Sequence, residues 1–172
     1  MREVLARVVP DAETVEGTAE QIPLEDGTAD AVSAAQAFHW FDAERALPEM
    51  HRVLVPRGGV ALVWNIRDDS HELHQRYAET IRPYHGDAYP EQQDHAAALE
   101  RSDLFAEFEA RTFGHVQLLD ADGLVARAAS VSFIARLPED ERAELLERVR
   151  RLAPEGTFEF PYLTKVFTCR SR

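Results

Sequence analysis

The clearest hydrophobic pattern in the chain is a helix followed by a buried strand. Apolar residues recur at helical spacing over residues 43–54, and Asp42 stands where a helix N-cap is expected. Pro48 predicts a kink or a restart within this helix. The turn-forming residues 56–59 then separate it from residues 60–64, a wholly apolar run. A helix, a glycine-containing turn and an apolar strand are typical of a parallel sheet covered by helices.

Shorter patterns predict the remaining elements. Residues 30–35 are a mostly apolar run whose length and flanks favour a buried strand, and residues 14–16 are a short strand candidate. Helices are predicted over residues 2–9, 120–130 and 139–152, and β structure over residues 108–118 and 157–169. In the helix over 139–152 one face is apolar: Leu145, Leu146, Val149 and Leu152. We expect one α/β domain over residues 1–172, with helices on both faces of the sheet and a helical lid over residues 69–102.

Composition and charge exclude several classes of protein. The chain has 172 residues, of which 31 are acidic and 19 basic, giving a net charge of −12. Such a surface repels phosphate backbones, so we expect no nucleic-acid partner. No apolar run approaches the roughly 18 residues of a membrane span, and no signal-peptide pattern is present, so we expect no membrane partner. The lone Cys169 allows no internal disulfide, which fits a cytoplasmic protein, and the arginine-rich, lysine-poor composition is typical of a GC-rich bacterial genome.

Three segments together resemble a known enzyme family. They are residues 16–24, 30–41 and 49–64, in this order and at this spacing. They are similar to the class I S-adenosylmethionine-dependent methyltransferases, in particular the type 11 small-molecule methyltransferases. The resemblance implies a truncated Rossmann-like sheet with parallel strands 3, 4 and 5, C-terminal strands 6 and 7, and one antiparallel strand. It also implies S-adenosylmethionine as cofactor and a small-molecule methyl acceptor of unknown identity.

The resemblance also implies roles for individual residues. His39 would accept a proton or orient the substrate. The cofactor-binding residues would be Gly17, Thr18, Ala19, Glu20, Ala35 and Gln36, the first four near the adenine and the last two near the methionine moiety. The substrate-facing residues would be Phe38, Trp40, Trp64, Asn65 and Arg67. Each set has a structural alternative: a strand-end turn, an aromatic plug over the core, or a solvated loop.

One motif of the family is absent from the sequence. No Gly-x-Gly occurs and the first glycine is Gly17, whereas the family binds its cofactor with a glycine-rich turn after strand 1. We therefore expect an incomplete domain without strands 1 and 2, which leaves residues 30–35 at an exposed edge. Strand 3 would shift beside this edge, or two chains would pair there as a homodimer. The alternative function is a catalytically inactive remnant that serves as a dimeric interaction module.

A metal site and two other enzyme classes find little support. His71, Glu72 and His74 have helical spacing, but no third ligand stands at a known spacing, so we expect a solvated helix face and no metal. The nucleophile elbow Gly-x-Ser-x-Gly of serine hydrolases is absent. A nicotinamide-dependent oxidoreductase would need the same glycine-rich turn that the chain lacks.

Overall fold

The computed structural model describes residues 2–84 and 96–172 of the chain. The chain divides into two compact units. Unit 1 comprises Met1–Val63, Asp94–Arg111 and Val166–Arg172, and unit 2 comprises Trp64–Gln93 and Thr112–Lys165.

The described strands are separated by single helices or by groups of helices. The helices are α1 Arg2–Val8, α2 Ala43–Val53, α3 Glu72–Ile81, α4 Ala97–Glu100, α5 Ala121–Ala129, α6 Ser132–Ala135 and α7 Glu139–Arg150, with 3-10 turns at Phe38–Trp40 and Arg82–Tyr84. The strands are β1 Ala29–Ala35, β2 Leu54–Arg67, β3 Phe105–Leu119 and β4 Phe158–Ser171. They form one sheet in the order β1-β2-β4-β3, in which β1 and β2 are parallel and the other pairs antiparallel. The predicted α/β class is confirmed.

The parallel pair β1 and β2 contains an irregularity where the sequence predicts a turn. Ala29 pairs with Leu54, but Ala31 pairs with Gly59, so residues 55–58 bulge out of the ladder. At Gly58 a Cβ atom would lie 2.9 Å from the carbonyl oxygen of Val55, so a larger residue does not fit. The predicted turn at 56–59 is therefore a bulge inside β2, because Leu54 has already entered the ladder when the bulge begins.

Helix α2 supplies much of the core of unit 1. It begins at the predicted cap, where Asp42 Oδ1 accepts a hydrogen bond from the backbone N–H of Glu44 at 3.2 Å. The helix continues through Pro48, which is exposed, so the predicted restart does not occur. Its buried residues are the apolar set that the periodicity indicates: Ala46, Leu47, Met50 and Val53.

The core of unit 2 is formed by helices packed with the first part of β4. Helices α5 and α7 contact each other, and α7 also contacts α3. On α7 the predicted face is confirmed, since Leu145 and Val149 are fully buried. The cluster further includes Tyr77, Ile81, Leu124, Ala128, Ile134, Phe160 and Tyr162.

The strand predicted at residues 14–16 is not formed, whereas the segment predicted as helical, residues 69–102, contains helices where it is described. Residues 14–16 are not a strand, and the described chain there makes only an isolated bridge between Thr18 and Gln21. The strand candidate at residues 14–16, which precedes β1 as strand 3 of the family precedes strand 4, therefore does not pair with β1 at the end of the sheet. Residues 69–102 are helical where described, in α3, the following 3-10 turn and α4, while residues 85–95 lie outside the described residues. Of the described helices, none is long and apolar enough to cross a membrane.

Candidate functional site

A tight turn in unit 1 holds the predicted adenine-binding residues. The backbone N–H of Gln21 donates to the carbonyl of Thr18 at 3.2 Å, which closes the turn around Ala19 and Glu20. The turn begins at Gly17, where a Cβ atom would lie 2.5 Å from Cδ of Pro23. Glycine is therefore required there by the return of the chain, independently of any ligand.

The Glu20 carboxylate connects this turn to the start of α2. Its Oε1 accepts a hydrogen bond from the backbone N–H of Asp42 at 3.0 Å. That bond is the main cause that lowers the pKa of Glu20, with smaller contributions from the Thr18 side chain and the charge of Arg45. Glu20 is thus ionised at neutral pH, and the turn lies beside the end of the loop that carries His39.

A second set of bonds holds the chain after the turn against α2. Arg52 donates to the carbonyls of Ile22 and Leu24, both at 2.9 Å, and to the carboxylates of Glu49 and Asp26. The Arg52 bonds, followed by the Ile22 N–H, lower the pKa of Glu49 to about 2. This arrangement was not predicted from the sequence, although the i, i+3 spacing of Glu49 and Arg52 on one helix is a signal for it.

The carboxyl end of β1 carries an unusual backbone conformation. Gln36, the residue after the strand, has a φ of 52°, in the left-handed region that non-glycine residues seldom occupy. Its N–H donates to the carbonyl of Val63 at 2.9 Å, which holds the conformation in place. Ala35 and Gln36 are both exposed. Such local strain concentrates at binding sites, and open α/β sheets bind ligands at the carboxyl ends of parallel strands.

The aromatic loop after Gln36 divides into buried and exposed residues. Phe38 is 5% exposed and packs edge-to-face on Phe41, with ring centroids 5.8 Å apart. His39 and Trp40 are exposed, and their rings lie 4.9 Å apart. In this loop His39 and Trp40 are therefore accessible from solvent, and Phe38 is not.

The predicted residues at the end of β2 belong to unit 2 and occupy three different environments. Trp64 is 3% exposed and is part of the core. Asn65 is half-buried, and its Oδ1 accepts a hydrogen bond from Oγ1 of Thr164 at 3.2 Å. Arg67 lies over the ring of Tyr77, with its guanidinium carbon 5.4 Å from the centroid.

The structure corrects the prediction of a solvated helix face on α3. His71 is exposed, but His74 is fully buried, and its Nε2 donates to the carbonyl of Pro161 at 2.6 Å. His74 shares a helical face with the buried Leu73 and Tyr77. This neighbourhood indicates burial, but the prediction considered only the spacing of His71 and His74. Within residues 2–84 and 96–172, no group of three His, Cys, Asp or Glu side chains is arranged to hold a metal ion.

Comparison with known proteins identifies the family. The model of the methyltransferase domain family matches residues 1–62. An uncharacterized methyltransferase-like protein of Schizosaccharomyces pombe is 34% identical, over 98% of this chain and 68% of its own length. An uncharacterized methyltransferase of Mycobacterium tuberculosis is 33% identical, over 95% of this chain and 68% of its own length. The chain belongs to the class I S-adenosylmethionine-dependent methyltransferases.

Solved structures agree with the fold of this methyltransferase. A candidate type II methyltransferase of Anaeromyxobacter dehalogenans has a TM-score of 0.59 at 23% identity, covering 95% of this chain and 75% of its own. A candidate methyltransferase of Bacillus halodurans has a TM-score of 0.52 at 20% identity, covering 96% of this chain and 85% of its own. These likenesses show the fold alone. The relatives come from bacteria and a fungus, so the bacterial source stays a prediction.

Proposed function

We propose that this methyltransferase transfers a methyl group from S-adenosylmethionine to a small-molecule acceptor, and that unit 1 holds the cofactor. The observation that carries the proposal is the left-handed Gln36 at the carboxyl end of β1, since a parallel sheet binds ligands at that edge. The identities of about one third to relatives called methyltransferases, over nearly the whole chain, support it. A cytoplasmic location belongs to the same proposal.

The residues of unit 1 suit this cofactor in two places. The turn Thr18–Glu20 offers backbone groups, a hydroxyl and a carboxylate, which suit the amino group and ring nitrogens of the adenine. Ala35 is exposed and has a small side chain, so the methionine moiety has space beside the strand end. The hydrogen bond from Asp42 to Glu20 keeps the turn beside the loop that follows β1.

The chemistry requires positioning more than covalent help. S-adenosylmethionine supplies an electrophilic methyl group on a positively charged sulfur. The protein has to align the acceptor with that methyl group and take up a proton where the acceptor loses one. His39 is exposed at the end of the same loop and is our candidate for orienting the acceptor or taking up that proton. Trp40, which is 78% exposed, offers an aromatic surface beside it.

Calorimetric titration with S-adenosylmethionine and S-adenosylhomocysteine tests the proposal directly. We expect micromolar binding of both. The variant Ala35→Leu should weaken binding at least tenfold, because the larger side chain fills the space at the strand end. Ala31→Leu is the matched control, since Ala31 is exposed on the same strand and the same face but farther from its carboxyl end. No binding at millimolar ligand would contradict the proposed function, and equal weakening by both variants would contradict the assignment of Ala35.

A specific feature favours the inactive dimeric module as a second candidate. Among the described strands, β1 pairs only with β2, so its other edge is open to a second chain. The two candidates give opposite titration results: the module forms dimers without binding the cofactor, whereas the enzyme binds the cofactor in either oligomeric state.

A further inference from the structure

A chain of hydrogen bonds in unit 2 favours one tautomer of His115, a histidine that no sequence motif indicated. Oγ1 of Thr164 donates to Oδ1 of Asn65 at 3.2 Å and lies 3.5 Å from Nδ1 of His115. A hydroxyl has one proton, so after donating to Asn65 the Thr164 oxygen has only lone pairs to offer His115. This arrangement favours the imidazole tautomer that has its proton on Nδ1 and its hydrogen-bond acceptor at Nε2.

The ring of His115 is held in place by its stacking on Tyr162. The two ring centroids lie 5.3 Å apart and the planes differ by 16°. Tyr162 is itself 3% exposed, and its hydroxyl accepts a hydrogen bond from Nε of Arg127 at 3.0 Å. His115 is exposed, and among the described residues its Nε2 has no hydrogen-bond partner. A buried aromatic support thus presents a single acceptor atom to solvent.

We propose that Asn65, Thr164 and Tyr162 position the exposed His115 to bind a phenol-type hydroxyl group, whose O–H donates to Nε2 of His115. An aromatic ligand suits the stacked rings. The Arg127 guanidinium beside Tyr162 adds a positive charge, which favours a hydroxyl that becomes partly anionic as it donates and disfavours an ammonium group. This site lies within unit 2, and binding there does not depend on the proposed function.

The test uses small probes on the full chain. The chain is labelled with ¹⁵N in its histidines, and the His115 ring nitrogens are followed by NMR during titration with 4-methylphenol. 4-Methylanisole is the matched probe without a hydroxyl proton, and benzylammonium is the matched cation. We expect the Nδ1–H tautomer in the free protein, a shift of the Nε2 resonance with 4-methylphenol, and about tenfold weaker binding of both other probes.

Two variants of His115 separate its acceptor atom from its aromatic surface, and two variants of Thr164 test the tautomer. His115→Phe keeps a ring for stacking but removes the acceptor, and should weaken 4-methylphenol binding about tenfold, whereas His115→Gln keeps an acceptor and should retain part of it. Thr164→Val should release His115 from the Nδ1–H tautomer, and Thr164→Ser should preserve it. Gln117→Ala, an exposed change on the same strand and face, is the control that should leave both readouts unchanged.

Three results would overturn the proposal. One is an Nε2–H tautomer at His115 in the free protein, another is equal affinity for 4-methylphenol and 4-methylanisole, and the third is binding that is the same in His115→Phe. Calorimetry with S-adenosylmethionine on the same sample keeps the two proposals apart. Cofactor binding without phenol binding overturns this site alone, and phenol binding without cofactor binding overturns the proposed function alone.

Discussion

His74 is a fully buried histidine whose Nδ1 has no hydrogen-bond partner among the described residues. Its Nε2 donates to the carbonyl of Pro161, and its ring packs on Phe160 with centroids 4.0 Å apart. Burial is the main cause that lowers the pKa of His74, and the positive charge of Arg67 lowers it further. The folded protein therefore holds this imidazole neutral, whereas the unfolded chain protonates it at an ordinary pKa of about 6.5.

The free energy of unfolding should consequently fall as the pH drops below about 6.5. In that range the unfolded chain binds more protons at His74 than the folded protein does, so stability rises with pH. His74→Phe loses the bond to Pro161 and some stability, but its dependence on pH between 5 and 7 should be shallower than that of the wild type. Urea unfolding at a series of pH values measures this. A wild-type slope in His74→Phe would contradict the argument.

Cys169 is a buried thiol that we expect to be chemically inert in the folded protein. It is 3% exposed, and burial raises its pKa to about 11. Since the thiolate is the reactive form, a thiol reagent at pH 8 should modify the native protein far more slowly than the urea-unfolded chain. A colorimetric thiol assay measures both rates, and equal rates in the two states would show that the C-terminal end of β4 opens readily.

At the scale of elements, substitution of Asp120, the N-cap of α5, measures how much one side chain stabilises a helix in the core of unit 2. Oδ1 of Asp120 accepts a hydrogen bond from the backbone N–H of Gly123 at 2.8 Å. Asp120→Ala should lower the free energy of unfolding by about 1 kcal/mol, and Asp120→Asn should restore most of it. Asp122→Ala, two residues on, removes only a surface ion pair with Arg150 and should cost less than about 0.5 kcal/mol. Urea denaturation of the three variants shows whether the cap hydrogen bond or the surface ion pair contributes more to the free energy of unfolding.

Elements with a strong local signal were predictable from the sequence, and those that depend on distant partners were not. Helix α7 and its buried face were predicted because Leu145 and Val149 repeat with helical spacing. The candidate strand at residues 14–16 is not formed, because a strand needs a neighbour and β1 pairs only with β2 among the described strands. The bulge at 55–58 was missed because its cause is the register with β1, which local composition does not encode.

The candidate site was predicted as a set of segments but not residue by residue. Phe38 and Trp64 have the same aromatic character as Trp40, yet both are buried, and burial depends on contacts between distant elements. His115 gave no signal in the sequence because its partner Thr164 lies 49 residues away on β4. The sequence pattern therefore predicts the strand ends at which sites form. Which side chains are exposed at those strand ends depends on the folded structure.

At the scale of the whole molecule, the chain divides into two compact units, and the single domain predicted from the sequence stays a prediction. Of the four divisions, those at residues 63–64, 111–112 and 165–166 lie inside the long strands β2, β3 and β4, and the one at residues 93–94 lies outside the described residues. A division within a strand leaves no change of composition, proline or glycine run to mark it, so the sequence offers no signal for it. Each unit has its own buried residues and is the appropriate unit for interpreting a local variant.

The open edge of β1 leads to the last prediction, which concerns association of the whole chain. We expect concentration-dependent dimerisation by antiparallel pairing of β1 with its copy, because among the described strands only β2 pairs with it and its side chains are small. In a pairing centred on Ser33, the two copies of this exposed residue face each other. Ser33→Glu should then weaken the dimer through repulsion of like charges, whereas Ser132→Glu, at an exposed position in unit 2, should not. Sedimentation velocity from 1 to 100 µM measures the equilibrium, and a wild-type chain that stays monomeric throughout this range would exclude the dimer.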